Sequence, residues 1–285
     1  MGVVEQAGKA IVRDAVKTRR REVMTYKNHF ELDIDRLKDN GCYYGADNMR
    51  QLAQQLRAVK RRLLRRIGFL RSTAERNGFN KPTRQRNLVL VTSTRSGEGK
   101  TFNAANLALS FAMEDQIETL AVDCDLIRPQ LRNTLGAPEG AGLSEFFTDP
   151  DVSIEDVAWR AKDIPLSIIG AGAGAPRTAE LLGGETARSL WAQLSRENSD
   201  RLVILDAPPV LAATDAVVLA RYVDEIVFVI EANKTPEPAA AAAIDELLEV
   251  NPNVSIILNK CLVASGGSHY GSYEYYDAAK THGEK

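Results

Sequence analysis

The stretch from Asn87 to Ala112, N-L-V-L-V-T-S-T-R-S-G-E-G-K-T-F-N-A-A-N-L-A-L-S-F-A, constrains the fold more than any other part of the chain. Leu88 to Val91 is an apolar run of the length of a buried strand. A turn of small residues follows, from Thr92 to Gly99. Lys100 and Thr101 then open a segment whose apolar residues Phe102, Ala105, Leu109 and Ala112 have helical spacing. Strand, glycine-bearing loop, Lys-Thr and helix together make a cradle for nucleotide phosphates. Successive backbone N–H groups curl round the anion, and the helix N-terminus aims its partial positive charge at it. The expected nucleotide-binding residues are Ser96, Gly97, Glu98, Gly99, Lys100, Thr101 and Phe102. Lys100 is expected at the β and γ phosphates, and the Thr101 hydroxyl on Mg²⁺. The strict spacing G-x-x-x-x-G-K-[ST] has glycine where this chain has Thr94.

Two further apolar runs end in carboxylates. Thr119 to Pro129 reads T-L-A-V-D-C-D-L-I-R-P, with Asp123 and Asp125 two apart, and Leu202 to Val210 reads L-V-I-L-D-A-P-P-V, with Asp206 before a proline pair. Carboxylates at strand ends supply the oxygen ligands that a hard cation on a nucleotide needs. In an open α/β sheet the C-terminal strand ends line one crevice, where all three stretches are expected to converge. The plainer alternative for Asp123 and Asp125 is that they cap a helix or a turn.

Taken together, D-C-D-L-I-R-P, L-D-A-P-P and the loop S-G-E-G-K-T resemble the bacterial tyrosine autokinases of polysaccharide export. A tail reading G-S-H-Y-G-S-Y-E-Y-Y-D completes the pattern: Tyr270, Tyr273, Tyr275 and Tyr276 are four of the eight tyrosines. The chain is most similar to the free-standing cytoplasmic form linked to exosortase-type exopolysaccharide loci, over residues 32–276. The resemblance implies a P-loop α/β fold, a mostly parallel sheet with helices on both faces. It also implies transfer of the γ-phosphate of Mg-ATP to those four tyrosines, between subunits, in control of exopolysaccharide polymerisation or export. Lys100, Asp123, Asp125 and Asp206 become the catalytic set, with Thr101, Asp125 and Asp206 around Mg²⁺. Asp123 takes the proton of the incoming tyrosine. Asn259, after the last expected strand, corresponds to an asparagine set against adenine in related folds, or is a turn residue.

The same resemblance implies partners: further copies of the chain, a separate membrane co-polymerase as activator, and a cognate tyrosine phosphatase, with no nucleic acid. Many relatives carry a Glu-x-x-Arg-x-x-Arg helix that helps assemble a ring. Here it reads Gln54-x-x-Arg57-x-x-Lys60. Glutamine removes a charge and lysine lacks the planar fork of arginine, which puts a ring in doubt. Two other departures concern cations. Arg95 stands where partition-type ATPases of related fold have a second lysine, and Ile127 stands where relatives have arginine, with Arg128 one later. Two rival readings follow: a partition-type (ParA/MinD-like) ATPase switch without a protein acceptor, and a regulatory subunit that binds nucleotide and has lost catalysis.

The bulk fits one large α/β domain plus an extra segment. At 285 residues, 44% hydrophobic and 26% charged, the composition is that of a globular protein. Cys42, Cys124 and Cys261 are scattered, as in a reducing compartment, without metal spacing. No stretch reaches a membrane span and no apolar signal core opens the chain, so the expected location is cytoplasmic, reaching the inner face of the membrane only through a partner. The net charge of −2 hides an asymmetry: residues 1–86 carry +12 and the remainder −14. That segment could pack on an acidic surface, lie at an anionic membrane, or be a solvated helix face.

The expected organisation is therefore a basic, largely helical segment and linker over 1–86, a kinase domain over 87–264 and a flexible tyrosine-rich tail over 265–285. Residues 1–30 read as polar helix, Gln51 to Phe69 as a firmer one, and Arg71 to Arg86 as linker. Strands are expected near Leu88–Thr92, Thr119–Asp123, Leu166–Ile169, Leu202–Leu205, Glu225–Ile230 and Val254–Leu258. Helices are expected near Lys100–Met113, Ala187–Glu197, Thr214–Tyr222 and Glu237–Val250, with 136–163 less regular.

Overall fold

The computed structural model describes residues 26–42, 50–68, 86–114, 117–196 and 201–261. The tyrosine cluster, residues 1–25 and nearly all of the expected linker lie outside them. Eight strands form one sheet: β1 (Asn28–Phe30), β2 (Leu88–Ser93), β3 (Glu118–Asp123), β4 (Ala158–Ala161), β5 (Leu166–Ile169), β6 (Arg201–Asp206), β7 (Glu225–Glu231) and β8 (Val254–Asn259). Their order is β1-β4-β5-β3-β6-β2-β7-β8, and every neighbouring pair is parallel except β4 with β5. The helices are α1 (Ile34–Asp39), α2 (Arg50–Arg66), α3 (Lys100–Ala112), α4 (Leu131–Thr134), α5 (Leu143–Thr148), α6 (Ile154–Val157), α7 (Thr178–Gly183), α8 (Glu185–Arg196), α9 (Asp215–Ala220) and α10 (Glu237–Leu248).

The central strands β2, β3 and β6 are apolar without a polar face because both faces are covered. Alternate residues feed two cores. Val89, Val91, Ala121, Leu202, Ile204, Val227 and Val229 pack with α2 and α3. Leu88, Leu90, Val122, Val203, Leu205 and Phe228 pack with Leu190, Trp191 and Leu194 of α8 and Leu219 of α9. Alanines 104, 105, 108 and 112 let α3 lie close between the sheet and α2.

The described part of the N-terminal segment belongs to this same body. Phe30, Leu37, Cys42, Leu56, Leu63 and Ile67 are in the first core. Residues 28–30, expected as polar helix, form β1 instead, paired with Trp159 to Ala161 of β4. Three residues carry too little periodicity to show a strand; pairing with a distant edge makes it. The stretch 136–163 likewise contains α5, α6 and β4.

Some of the basic charge is used internally. Arg66 Nε lies 2.6 Å from Glu225 Oε1, and Lys60 is paired with Glu114. Lys60 is only 7% exposed and also donates to the Ser110 carbonyl at 3.2 Å. Of the three positions compared with the ring motif, Gln54 and Arg57 therefore face solvent and Lys60 faces α3. No helix among the described residues is long and apolar enough to cross a membrane.

Candidate active site

The three sequence stretches meet at the C-terminal ends of β2, β3 and β6. Register makes this unavoidable: Asp123 pairs with Asp206 across β3–β6, and Val91 pairs with Asp206 across β2–β6. Beyond the strands the ends stay tied. Ala207 N–H donates to Val91 O at 2.9 Å, Cys124 N–H to Asp206 O at 2.8 Å, and Thr92 Oγ1 to Pro208 O at 2.7 Å.

The loop leaving β2 winds into α3 through two left-handed glycines, Gly97 at φ +89° and Gly99 at φ +100°. Both need the freedom that only glycine has. At Gly99 a Cβ would also lie 2.1 Å from Asn259 Nδ2. Thr94 is buried and lies outside the left-handed region, so this backbone does not require glycine there. Among the described residues, the N–H groups of residues 97–101 donate to no other group. They are open donors at a helix N-terminus, the arrangement that takes a phosphate chain.

Lys100 sits between two carboxylates, with Nζ 2.9 Å from Asp125 Oδ2 and 3.7 Å from Asp206 Oδ1, and it donates to Thr101 Oγ1 at 3.2 Å. Burial alone would lower its pKa, but Asp206 and Asp125 outweigh burial and hold it above the ordinary lysine value. Asp206 is completely buried, and neither carboxylate oxygen has a hydrogen-bond partner. Burial pushes its pKa up to about 6, against the pull of Lys100. Burial, and then the neighbouring Asp206, likewise raise Asp123. Asp123 is held differently: Oδ1 accepts from Asp125 N–H at 3.2 Å, and Oδ2 from Gln130 and Leu131 N–H at 3.1 and 2.9 Å. It shapes the loop into α4 as well as facing Asp206.

These groups fit a hard divalent cation in part. Asp206 offers two orphaned buried oxygens, and Asp125 and the Thr101 hydroxyl stand on the same lysine. The donors are all oxygen, as Mg²⁺ prefers. Among the described residues no group of three or more His, Cys, Asp or Glu is arranged to hold a metal alone.

The other expected residues lie on or beside the loop. Ser96 and Gly97 are exposed at its tip, and Phe102 is half-buried in the first turn of α3. Asn259 donates to Glu98 O at 2.8 Å and so braces the loop in this structure. Arg95 and Arg128 are exposed, and Ile127 is 60% exposed. Sequence reading missed Thr235 and Lys260, which bond to the loop from 137 and 163 residues away. No local pattern marks such contacts. It also missed Asp215, 2% exposed, with an unpartnered Oδ2 and a pKa raised by burial. Its place in T-D-A, shortly after D-A-P-P-V, was the one available signal.

No protein-family model matches the chain. The chain is 30% identical over 198 residues to the tyrosine-protein kinase YwqD of Bacillus subtilis, covering 70% of this chain and 81% of YwqD. The solved VpsO kinase domain is 30% identical with a TM-score of 0.62, covering 77% of this chain and all of that domain. The kinase domain of the Escherichia coli tyrosine kinase ETK is 26% identical with a TM-score of 0.60, covering 77% of this chain and 80% of that one. A phosphate loop with open amides, a buried lysine held by carboxylates and relatives of this extent give one answer: the chain belongs to the bacterial tyrosine-protein kinases, P-loop enzymes that bind a nucleotide and phosphorylate tyrosine.

Proposed function

We propose that this kinase transfers the γ-phosphoryl of Mg-ATP to tyrosines of its own C-terminal segment, Tyr270, Tyr273, Tyr275 and Tyr276, in a neighbouring copy. The observation that carries this reading is the convergence of Lys100, Thr101, Asp125 and Asp206 at the open loop, in a chain with half its tyrosines in one cluster. Phosphoryl transfer needs positioning and charge neutralisation more than covalent chemistry. The loop amides and Lys100 hold the phosphates and stabilise charge moved toward the leaving oxygen. Thr101, Asp125 and Asp206 would hold Mg²⁺, which when bound neutralises charge on the phosphates. Asp123 is assigned the tyrosine proton, a role that its raised pKa favours. Asn259 is assigned a place beside the base while it braces the loop.

Glycines and serines flank the tyrosines, a composition that favours reach between subunits, with an effective concentration on the order of millimolar once tethered. Each phosphate adds roughly −1.5 to −2 charge, which on several tyrosines repels the acidic body and loosens an assembly of copies. In this reading the cycle controls exopolysaccharide polymerisation or export. It is activated by a membrane co-polymerase that brings the kinase to the inner face of the membrane, and reset by a tyrosine phosphatase.

The test is peptide mass spectrometry of phosphatase-stripped protein after Mg-ATP, beside Lys100→Met. Phosphate on Tyr270 to Tyr276 in wild type alone is the expected result. ADP formation without phosphotyrosine would support the partition-type switch instead. Phosphotyrosine persisting after all four are changed to Phe would move the acceptor elsewhere.

A further inference from the structure

Glu98 stands inside the phosphate loop, 4% exposed, and its carboxylate turns back on the loop that carries it. Oε2 accepts from the N–H groups of Thr94 and Arg95 at 2.7 and 2.9 Å. Oε1 accepts from Thr235 Oγ1 at 2.6 Å. Thr235 Oγ1 in turn accepts from Glu231 N–H at 3.1 Å, so the grip extends to the segment between β7 and α10. From the outer side, Asn259 donates to the Glu98 carbonyl and Lys260 Nζ to the Gly97 carbonyl, at 2.8 and 2.7 Å.

These bonds divide the loop into two parts. The leading amides, at 94 and 95, are closed by a carboxylate; those of 97–101 are open. The closed part coincides with the place where the chain departs from the strict glycine spacing, at Thr94. Bonds from N–H to an ionised carboxylate are about twice as strong as neutral ones, so two on consecutive amides fix that bend firmly.

We propose that Glu98 is a positioning residue for nucleotide binding: its carboxylate, anchored by the Thr235 hydroxyl, holds the first bend of the phosphate loop so that the following amides converge on the phosphates. This rests on the loop binding nucleotide and not on which acceptor receives the phosphoryl group. Without the carboxylate, the buried Thr94 amide and the Arg95 amide lose their shared charged acceptor, the bend loosens, and the incoming nucleotide must order the loop itself. The loss therefore falls on affinity for ATP and ADP alike. Turnover at saturation stays close to wild type, because bound nucleotide restores the geometry.

The experiment measures ATP and ADP affinity by calorimetry, kcat and KM for ADP formation, and thermal unfolding without nucleotide. The variants are Glu98→Gln, Thr235→Val and the double. For Glu98→Gln, Kd and KM are expected to rise about 10-fold with kcat within about 2-fold; for Thr235→Val, Kd rises about 3-fold. The double variant is expected to match Glu98→Gln in nucleotide affinity, because the hydroxyl reaches the loop through the carboxylate, its other bond being to Glu231 N–H at the end of β7. Unchanged affinity with a lowered unfolding temperature in Glu98→Gln would reduce the carboxylate to a structural contact. Effects that multiply in the double variant would remove the anchor from the proposal. If Glu98→Gln fails to fold, Thr235→Val alone decides: weaker nucleotide binding with unfolding unchanged supports the proposal, and unchanged binding overturns it. ADP affinity is read without any acceptor, so a failure here is distinct from a failure of tail phosphorylation.

Discussion

Asp206→Asn is expected to make the nucleotide-free protein more stable at neutral pH while it damages the enzyme. The carboxylate is completely buried, and its two oxygens have no hydrogen-bond partner. Burial moves its pKa from 3.8 to about 6, roughly two units, worth on the order of 3 kcal/mol against the ionised form in the fold. Asparagine removes that cost but leaves a buried amide unsatisfied, at about 1–2 kcal/mol. Lys100 keeps Asp125 at 2.9 Å. The net gain is about 1–2 kcal/mol, near 2–4 °C of unfolding temperature per kcal/mol for a protein of roughly this size. The sign follows from linkage. A carboxyl whose folded pKa is raised binds its proton more tightly in the native state, so its stability contribution is complete below pH 3.8 and lost as pH rises through about 6. The advantage of Asp206→Asn should therefore be largest near pH 7.5 and shrink toward pH 4. Thermal unfolding of both proteins across that range, without nucleotide or Mg²⁺, reads this difference directly and cancels the carboxylates remote from the site; Asp123, which the Asp206 charge helps to raise, is relieved by the same substitution and adds to the advantage in the same direction. In parallel, apparent Mg²⁺ affinity in ADP formation should fall about 10–100-fold. A variant that is less stable at pH 7.5, or whose difference from wild type does not change with pH, would refute the strained carboxylate.

Three other outcomes follow from the same geometry. Gly99→Ala, strained at φ +100° and 2.1 Å from Asn259 Nδ2, should weaken ADP binding more than Gly97→Ala, which has open space and carries only about 1–2 kcal/mol of backbone strain; adding Asn259→Ala should return part of the loss at Gly99, measured by calorimetry. Lys60→Met, which strips Glu114 and the Ser110 carbonyl of a buried cation, should lower stability by about 1–3 kcal/mol in denaturant unfolding, whereas Arg57→Ala on the exposed side should stay within about 0.5 kcal/mol. Thiol titration of the native protein should find Cys261 reactive and Cys42 and Cys124 silent, because burial lifts the Cys42 thiol to about 11 and Cys124 well above its ordinary value.

What the sequence determined by itself was local and periodic. Four apolar residues before a glycine loop, a Lys-Thr pair and a helical repeat fixed β2, the phosphate loop and α3. Two more apolar runs ending in aspartate fixed β3 and β6, and parallel pairing then left Asp123 and Asp206 no place but side by side. The family was legible in those same motifs, because phosphate and metal chemistry tolerate few residue types at few spacings. Tertiary structure decided the rest. It made residues 28–30 a strand by lending them the edge of β4, and it turned Lys60 inward onto α3. It separated three similar aspartates into a carboxylate bound to amides, one held close by Lys100, and one fully buried that faces the same lysine from 3.7 Å. It also closed the phosphate loop with Thr235, Asn259 and Lys260. Burial, pKa and bracing of this kind depend on which distant groups arrive at a point, and a one-dimensional pattern of neighbours does not contain that information.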